Sequence, residues 1–166
     1  MTGDARFEDA DETPLRLAAV APDDVPVISA LLQDAVFPAV EMRFDRKARR
    51  FAVLVNRFRW EDRSAGDSGV RAYERVRSLL TVADVRATAS QGVDRHDPDL
   101  VLSLLALDFL PGPDGTGEVL LTLAGDGAIR LTVECLDIRL RDVTRPYAAP
   151  SGKALRSISS TPTSIS

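Results

Sequence analysis

From Glu118 to Glu134 the chain alternates with a period of two. Val119, Leu121 and Leu123 are interleaved with Leu120 and Thr122, and Ile129, Leu131 and Val133 with Arg130 and Thr132. A helix repeats every 3.6 residues, so this pattern commits the stretch to strands with one buried face. Gly125-Asp126-Gly127 lies between the two runs and signals a hairpin. A two-residue Asp126-Gly127 loop would set Ala124 opposite Ile129 and Thr122 opposite Leu131, mixing polar with apolar partners. A three-residue loop pairs Leu123 with Ile129, Leu121 with Leu131 and Val119 with Val133, which keeps the faces consistent. The expected turn is type I, with Gly127 left-handed in a bulge, where a valine would be strained.

After Cys135 the phase changes: Leu136, Ile138 and Leu140 are apolar while Asp137, Arg139 and Arg141 are charged. A phase change implies a bulge, or a strand that leaves one sheet for another. Cys135 itself falls on the inward face and is expected to be a small buried hydrophobe.

Upstream, residues 15–20 read as a first strand. Pro22-Asp23-Asp24 opens a helix, with Val27, Ile28, Leu31 and Leu32 at helical spacing and Pro26 tolerable only in the first turn. The helix ends before Pro38 and packs on the sheet. Residues 39–60 read as a second hairpin, with Phe51, Val53 and Val55 on one face and Ala52, Leu54, Phe58 and Trp60 on the other. Residues 61–70 form a loop. Residues 73–87 suit helix or strand, and strand is chosen. Residues 91–98 are turn-like, 101–110 a strand, and 111–115 a rigid loop. Acidic residues 1–13 and Ser/Thr-rich residues 150–166 are expected to be flexible tails around a single domain over 14–149. A faint echo links Pro22-Asp23 before Ile28-Ser29-Ala30-Leu31-Leu32 to Pro98-Asp99 before Leu102-Ser103-Leu104-Leu105. Two half-repeats, 14–70 and 71–149, would produce it. The expected architecture is α+β, predominantly antiparallel, with about seven strands in a curled, barrel- or sandwich-like sheet and one N-terminal helix packed on it.

Val27 to Val36, Arg49-Arg50-Phe51 with Asn56-Arg57-Phe58-Arg59-Trp60-Glu61, and Gly127 to Cys135 together resemble an uncharacterised family of alphaproteobacterial proteins, a domain of unknown function. The resemblance spans roughly residues 14 to 150. It implies a bacterial cytoplasmic setting and carries over no catalytic residue. The Ser/Thr-rich end departs from it.

Chemistry is sparse. Gly112, Gly115 and Gly117 lack the lysine and the following helix of a phosphate loop. One histidine and one cysteine argue against a zinc site, and a single cysteine excludes a disulfide within the chain. No cofactor is implied. His96, in Asp94-Arg95-His96-Asp97, reads as a solvent-exposed loop histidine rather than a general base. No apolar run is long enough for a membrane helix, and the first 13 residues lack a signal-peptide core.

The strongest lead is basic. Arg43, Arg46, Lys47, Arg49, Arg50, Arg57, Arg59 and Arg63 interleave with Phe44, Phe51, Phe58 and Trp60. A hairpin of this kind tracks a nucleic-acid backbone and stacks bases, although simple alternation also explains it and the net charge of −4 argues the other way. Asn56 interrupts an apolar face and would line a pocket or bond a neighbouring loop. The favoured function is therefore a non-catalytic binding or assembly module of a bacterial cytoplasm, engaging a protein partner or a second copy through a strand edge. Two alternatives stand beside it. One is RNA binding through the hairpin at 43–59, and the other is a small-ligand or enzyme pocket near Asn56. The candidate binding residues are Arg43, Arg50, Asn56, Arg57, Arg59 and Trp60.

Overall fold

The computed structural model describes residues 14–59 and 75–143. Among the described residues ten strands form one antiparallel sheet. They are β1 (Arg16–Ala19), β2 (Val36–Pro38), β3 (Arg43–Asp45), β4 (Arg50–Phe58), β5 (Arg75–Val82), β6 (Val85–Gln91), β7 (Val101–Pro111), β8 (Gly117–Leu123), β9 (Ala128–Val133) and β10 (Ile138–Asp142). The path runs β1-β10-β5-β4-β2-β7-β8-β9-β6, and β3 pairs with β4 beside it. The sheet curls without closing, so β1 and β6 are its two ends. The α+β, mostly antiparallel expectation holds. The strand count is higher than expected because β2 and β3 are only three residues long and 73–87 covers parts of two strands. The second hairpin starts later than expected, since residues 39–41 form a turn of 3-10 helix before β3. The loop expected at 61–70 and both tails lie outside the described residues.

Among the described residues one α-helix, α1 (Val25–Leu32), follows a single turn of 3-10 helix at Pro22–Asp24. Pro26 sits in the first turn, where its missing N–H costs nothing. Val25, Ile28 and Leu32 are buried at i, i+3 and i+7 against β7 and β4, each worth roughly 1.5–3 kcal/mol of burial. Val27 differs from expectation: it is 55 % exposed, and the buried stripe passes through Val25 instead. The Ser29 hydroxyl accepts a hydrogen bond from the Leu107 N–H at 3.0 Å. That bond ties the helix to β7 just past a register shift at Leu104/Ala106. The sequence echo does not extend to the fold, for Ile28 to Leu32 is helical whereas Leu102 to Leu105 is strand.

The phase change after Cys135 is a change of partner. β9 pairs with β8 and β6, whereas β10 pairs with β5 and β1. The chain makes the opposite switch between β5 and β6. The two corners touch: Ala83 N–H donates to the Asp137 carbonyl at 3.0 Å, and Glu134 N–H to the Asp84 carbonyl at 3.0 Å. Cys135 lies on this corner and is exposed, not buried, because the alternation that would place it inward stops at Val133. Its thiol donates to Asp84 Oδ2 at 3.0 Å. That hydrogen bond pushes the thiol above its ordinary range, and slight burial and the carboxylates of Asp84, Asp137 and Glu134 add to it. At pH 8 less of Cys135 is thiolate, so iodoacetamide should label it several-fold more slowly than a free cysteine. Asp84 sits at φ +58, which asparagine tolerates. Asp84→Asn should therefore speed alkylation without unfolding the corner; an unchanged rate, followed by mass spectrometry, would contradict the contact.

The β8–β9 hairpin is registered two residues from the expected position. Leu121 pairs with Ile129 and Val119 with Leu131. A shift of two preserves which face each side chain occupies, so the inward set is as expected. The left-handed residues are Gly125 and Asp126, at φ +81 and +69, rather than Gly127. Gly127 is instead closely packed: a Cβ there would lie 3.4 Å from the Gln91 carbonyl oxygen and from Leu123 Cδ1.

Candidate functional site

The hairpin β3–β4 does form, pairing Arg43 with Ala52, Phe44 with Phe51 and Asp45 with Arg50. Its basic residues do not share one surface. Arg43 and Arg50 are exposed. Arg57 is fully buried, on the same inward parity as Phe51, Val53 and Val55, and Arg59 is buried as well. Asn56 is half-buried opposite Val36 and Arg77. Trp60 lies outside the described residues. Among the aromatics, Phe51 is in the core and the Phe58 ring is covered by the Arg75 guanidinium at 4.5 Å.

Arg57 belongs to a sealed polar network at one end of the sheet. Its Nη2 donates to Asp142 Oδ1 at 3.1 Å and Nε to the Ser78 hydroxyl at 2.9 Å, while Nη1 donates to the Phe58 carbonyl at 3.0 Å. Ser78 donates in turn to Asp142 Oδ1 at 2.7 Å, and the Leu15 N–H donates to Oδ2 at 2.9 Å. Strands β4, β5, β10 and the approach to β1 are thus joined through one carboxylate. Ser78 beside Asp142 is not a nucleophile arrangement: both are buried, and the carboxylate is occupied by a guanidinium and an amide. The network holds the fold.

Solvent reaches the inner side of the sheet at the opposite seam, where the curl fails to close. Val85 N–H donates to the Arg49 carbonyl at 2.8 Å, joining β6 to the β3–β4 connection. Beyond that point no pairing links β6 to β3 among the described residues. The gap is a cleft of about 160 Å³. Its apolar floor is Met42, Phe44, Phe51 and Ile129, most of them buried; Thr88, Ala89 and Ser90 of β6 line it as well, as do Arg43 and Arg95. Thr88 pairs with Leu131 and Ser90 with Ile129, so both share the parity of the inward face, most of whose positions carry buried apolar side chains; Thr88 is half-buried and Ser90 exposed. Arg43 is held from behind: Nη1 donates to the Val40 carbonyl at 2.7 Å and the Met42 carbonyl at 3.2 Å. Arg95 makes no ion pair among the described residues. An apolar floor, two hydroxyls and two guanidinium groups suit a small anionic group carrying an apolar body.

Of the expected binding residues, only Arg43 lines this cleft. Thr88, Ser90 and Arg95 carry no signal in the sequence beyond being polar. His96 is exposed in the loop beside Arg95, its N–H bonded to Asp94 Oδ1 at 3.0 Å in a local turn. No group of three or more metal-ligating side chains gathers among the described residues, and no helix among them is long and apolar enough to cross a membrane.

Comparison with curated proteins and with solved structures found no match. The family described as "Protein of unknown function (DUF2948)" matches residues 15–154, which takes in every described strand, the helix, the buried network and the cleft. The chain belongs to the DUF2948 family.

Proposed function

We propose that this chain is a non-catalytic binding module that takes its ligand in the cleft between the β3–β4 hairpin and β6. The observation that carries this reading is the exchange of apolar for hydroxyl side chains at positions 88 and 90, on the parity of the inward face, where two arginines join an otherwise apolar lining. Unlike the Ser78 hydroxyl, which is sealed by Arg57 and Asp142, Thr88 and Ser90 stand on an end strand where water or a ligand can meet them. We further place the module in a bacterial cytoplasm, where a chain with one cysteine suits a reducing compartment. RNA binding through residues 43–59 has less to draw on, because Arg57 and Phe51 are committed to the interior. A pocket at Asn56 has less as well, since Asn56 does not line the cleft.

The test is ligand-observed NMR of the full chain against a set of short-chain carboxylic acids and acylated amino acids, with amide shifts mapped on labelled protein. Binders are expected to perturb residues 42–44, 88–90 and 95, and to lose at least tenfold in affinity in Arg95→Glu. A set in which nothing binds, or whose binders map elsewhere, would overturn the reading.

A further inference from the structure

The cleft is too small to hold a whole ligand of ordinary size. Its volume of about 160 Å³ lies well below the roughly 300–1,000 Å³ of a drug-sized pocket. One amino-acid side chain and a carboxylate fill it. The rest of any ligand must lie outside, and what adjoins the cleft is the free side of β6.

Among the described residues that edge is unpaired. Natural edge strands are short, charged, interrupted by proline or bulged. The other end of the sheet, β1, follows this rule with four residues and Arg16. β6 is bulged only at its start, between Val85 and Ala87. From Ala87 to Gln91 it then runs in regular register with β9, as Ala-Thr-Ala-Ser-Gln, with no charge and no proline. This offers about 17 Å of backbone N–H and C=O groups that no described strand pairs. Small side chains let another backbone approach. The strand runs alongside the cleft, with Thr88, Ala89 and Ser90 lining it.

We propose that β6 receives the C-terminal strand of a partner polypeptide, its terminal carboxylate held by Arg43 and Arg95 and its last apolar side chain lodged on Phe44, Phe51 and Ile129. This rests on the cleft being the binding site. Main-chain pairing along Ala87 to Gln91 supplies most of the contact, and the cleft reads the end of the chain. The Arg95 guanidinium matches a carboxylate by charge and by its paired N–H donors, while Arg43, whose Nη1 already donates to the Val40 and Met42 carbonyls, adds positive charge. An internal segment, or an amidated end, would place a neutral group between two cations and lose that match.

The probe is a fluorescein-labelled pool of hexapeptides, randomised at five positions and ending in leucine with a free carboxylate. The same pool ending in a carboxamide, and N-acetyl-leucine, serve as controls, all against the full chain. The free pool should bind at least tenfold more tightly than the amidated pool, and Arg95→Ala should weaken it at least tenfold. Arg95 is an exposed loop residue, so the variant folds as the parent does. Saturation with the free pool should also slow amide exchange within residues 87–91 at least tenfold. Equal binding of the two pools, or binding without protection of β6, would overturn the proposal. So would a concentration-dependent mass abolished by Arg95→Ala, since the occupant would then be a second copy. If N-acetyl-leucine binds in the cleft and neither pool does, the strand proposal fails while the cleft reading stands. If no probe perturbs the cleft, the strand proposal fails as well.

Discussion

Arg57→Met should lower the stability of the fold by about 3–5 kcal/mol, the range for breaking a buried ion pair from one side. At roughly 2–4 °C per kcal/mol for a chain of this size, the midpoint of thermal unfolding should fall by roughly 6–20 °C. Methionine keeps the apolar stem of the arginine and removes only the charged head. The loss therefore reports on what the guanidinium touches. Asp142 would stay buried, still accepting from the Ser78 hydroxyl and the Leu15 N–H, with no cation beside it. Asp142→Asn does the converse and leaves Arg57 charged in the interior, at a similar cost. The double variant Arg57→Met/Asp142→Asn removes both charges and should be more stable than the sum of the single losses by at least about 1.5 kcal/mol. Urea unfolding followed by circular dichroism gives all three values. A loss under about 1 kcal/mol for Arg57→Met would mean that this side chain meets water in solution. Arg57 would then return to the exposed basic set that the sequence pattern suggests. By contrast, the surface pair Arg49–Glu134, with both side chains nearly half exposed, should be worth no more than about 1 kcal/mol.

Arg57 also shows where reading the sequence reaches its limit. Phe51, Val53, Val55 and Arg57 share one parity, so alternation does place Arg57 inward. A charged residue at the end of an apolar run nevertheless reads as the end of the buried face, unless its partners are known. Ser78 lies 21 residues away and Asp142 85 residues away. Nothing local marks Ser78 and Asp142 as opposite each other on β5 and β10. The cleft is hidden for a related reason. β6 alternates Thr88 and Ser90 with Ala87 and Ala89, a pattern without enough hydrophobic contrast to say which side faces in. Its face is set by the partners, Leu131 opposite Thr88 and Ile129 opposite Ser90.

Legible features are those decided by short-range contrast. The alternating strands on either side of Gly125-Asp126-Gly127, a helix just after Pro22-Asp23-Asp24 and a hairpin within 39–60 all follow from neighbouring residues. The register of β8 against β9 is only half legible. A hydrophobic criterion fixes register modulo two, and the remaining choice belongs to the turn, where the Gly125-Asp126 pair takes the left-handed conformation. Cys135 fails differently: parity extends the buried face past Val133, into a corner where the backbone no longer pleats.

The second large effect is expected at Gly117, where the constraint is space rather than φ. Gly117 opens β8, opposite Pro111 on β7 and Val133 on β9. A Cβ at this position would lie 2.6 Å from the Leu110 carbonyl oxygen and 2.6 Å from both Cε1 and Cζ of Phe109. Neither approach is tolerable, and they relax differently. The ring can turn away at the cost of its packing, whereas the carbonyl moves only with the β7 backbone. Gly117→Ala should therefore cost about 2–3 kcal/mol of overpacking, offset in part by the roughly 0.4–1 kcal/mol that alanine contributes by stiffening the unfolded chain. Phe109→Ala combined with Gly117→Ala removes the ring contact and leaves the carbonyl contact. The double variant should thus lose less than the sum of the two single losses, yet remain less stable than Phe109→Ala alone. Amide exchange locates the strain. The Gly112 N–H, bonded to the Thr116 carbonyl at 2.7 Å across the end of this hairpin, should exchange faster in Gly117→Ala than global destabilisation explains, while the amides of β4 and β5 follow the global change. A neutral Gly117→Ala would mean that the Phe109 ring does not lie against the start of β8, and the β7–β8 hairpin would then need a different pairing at its open end.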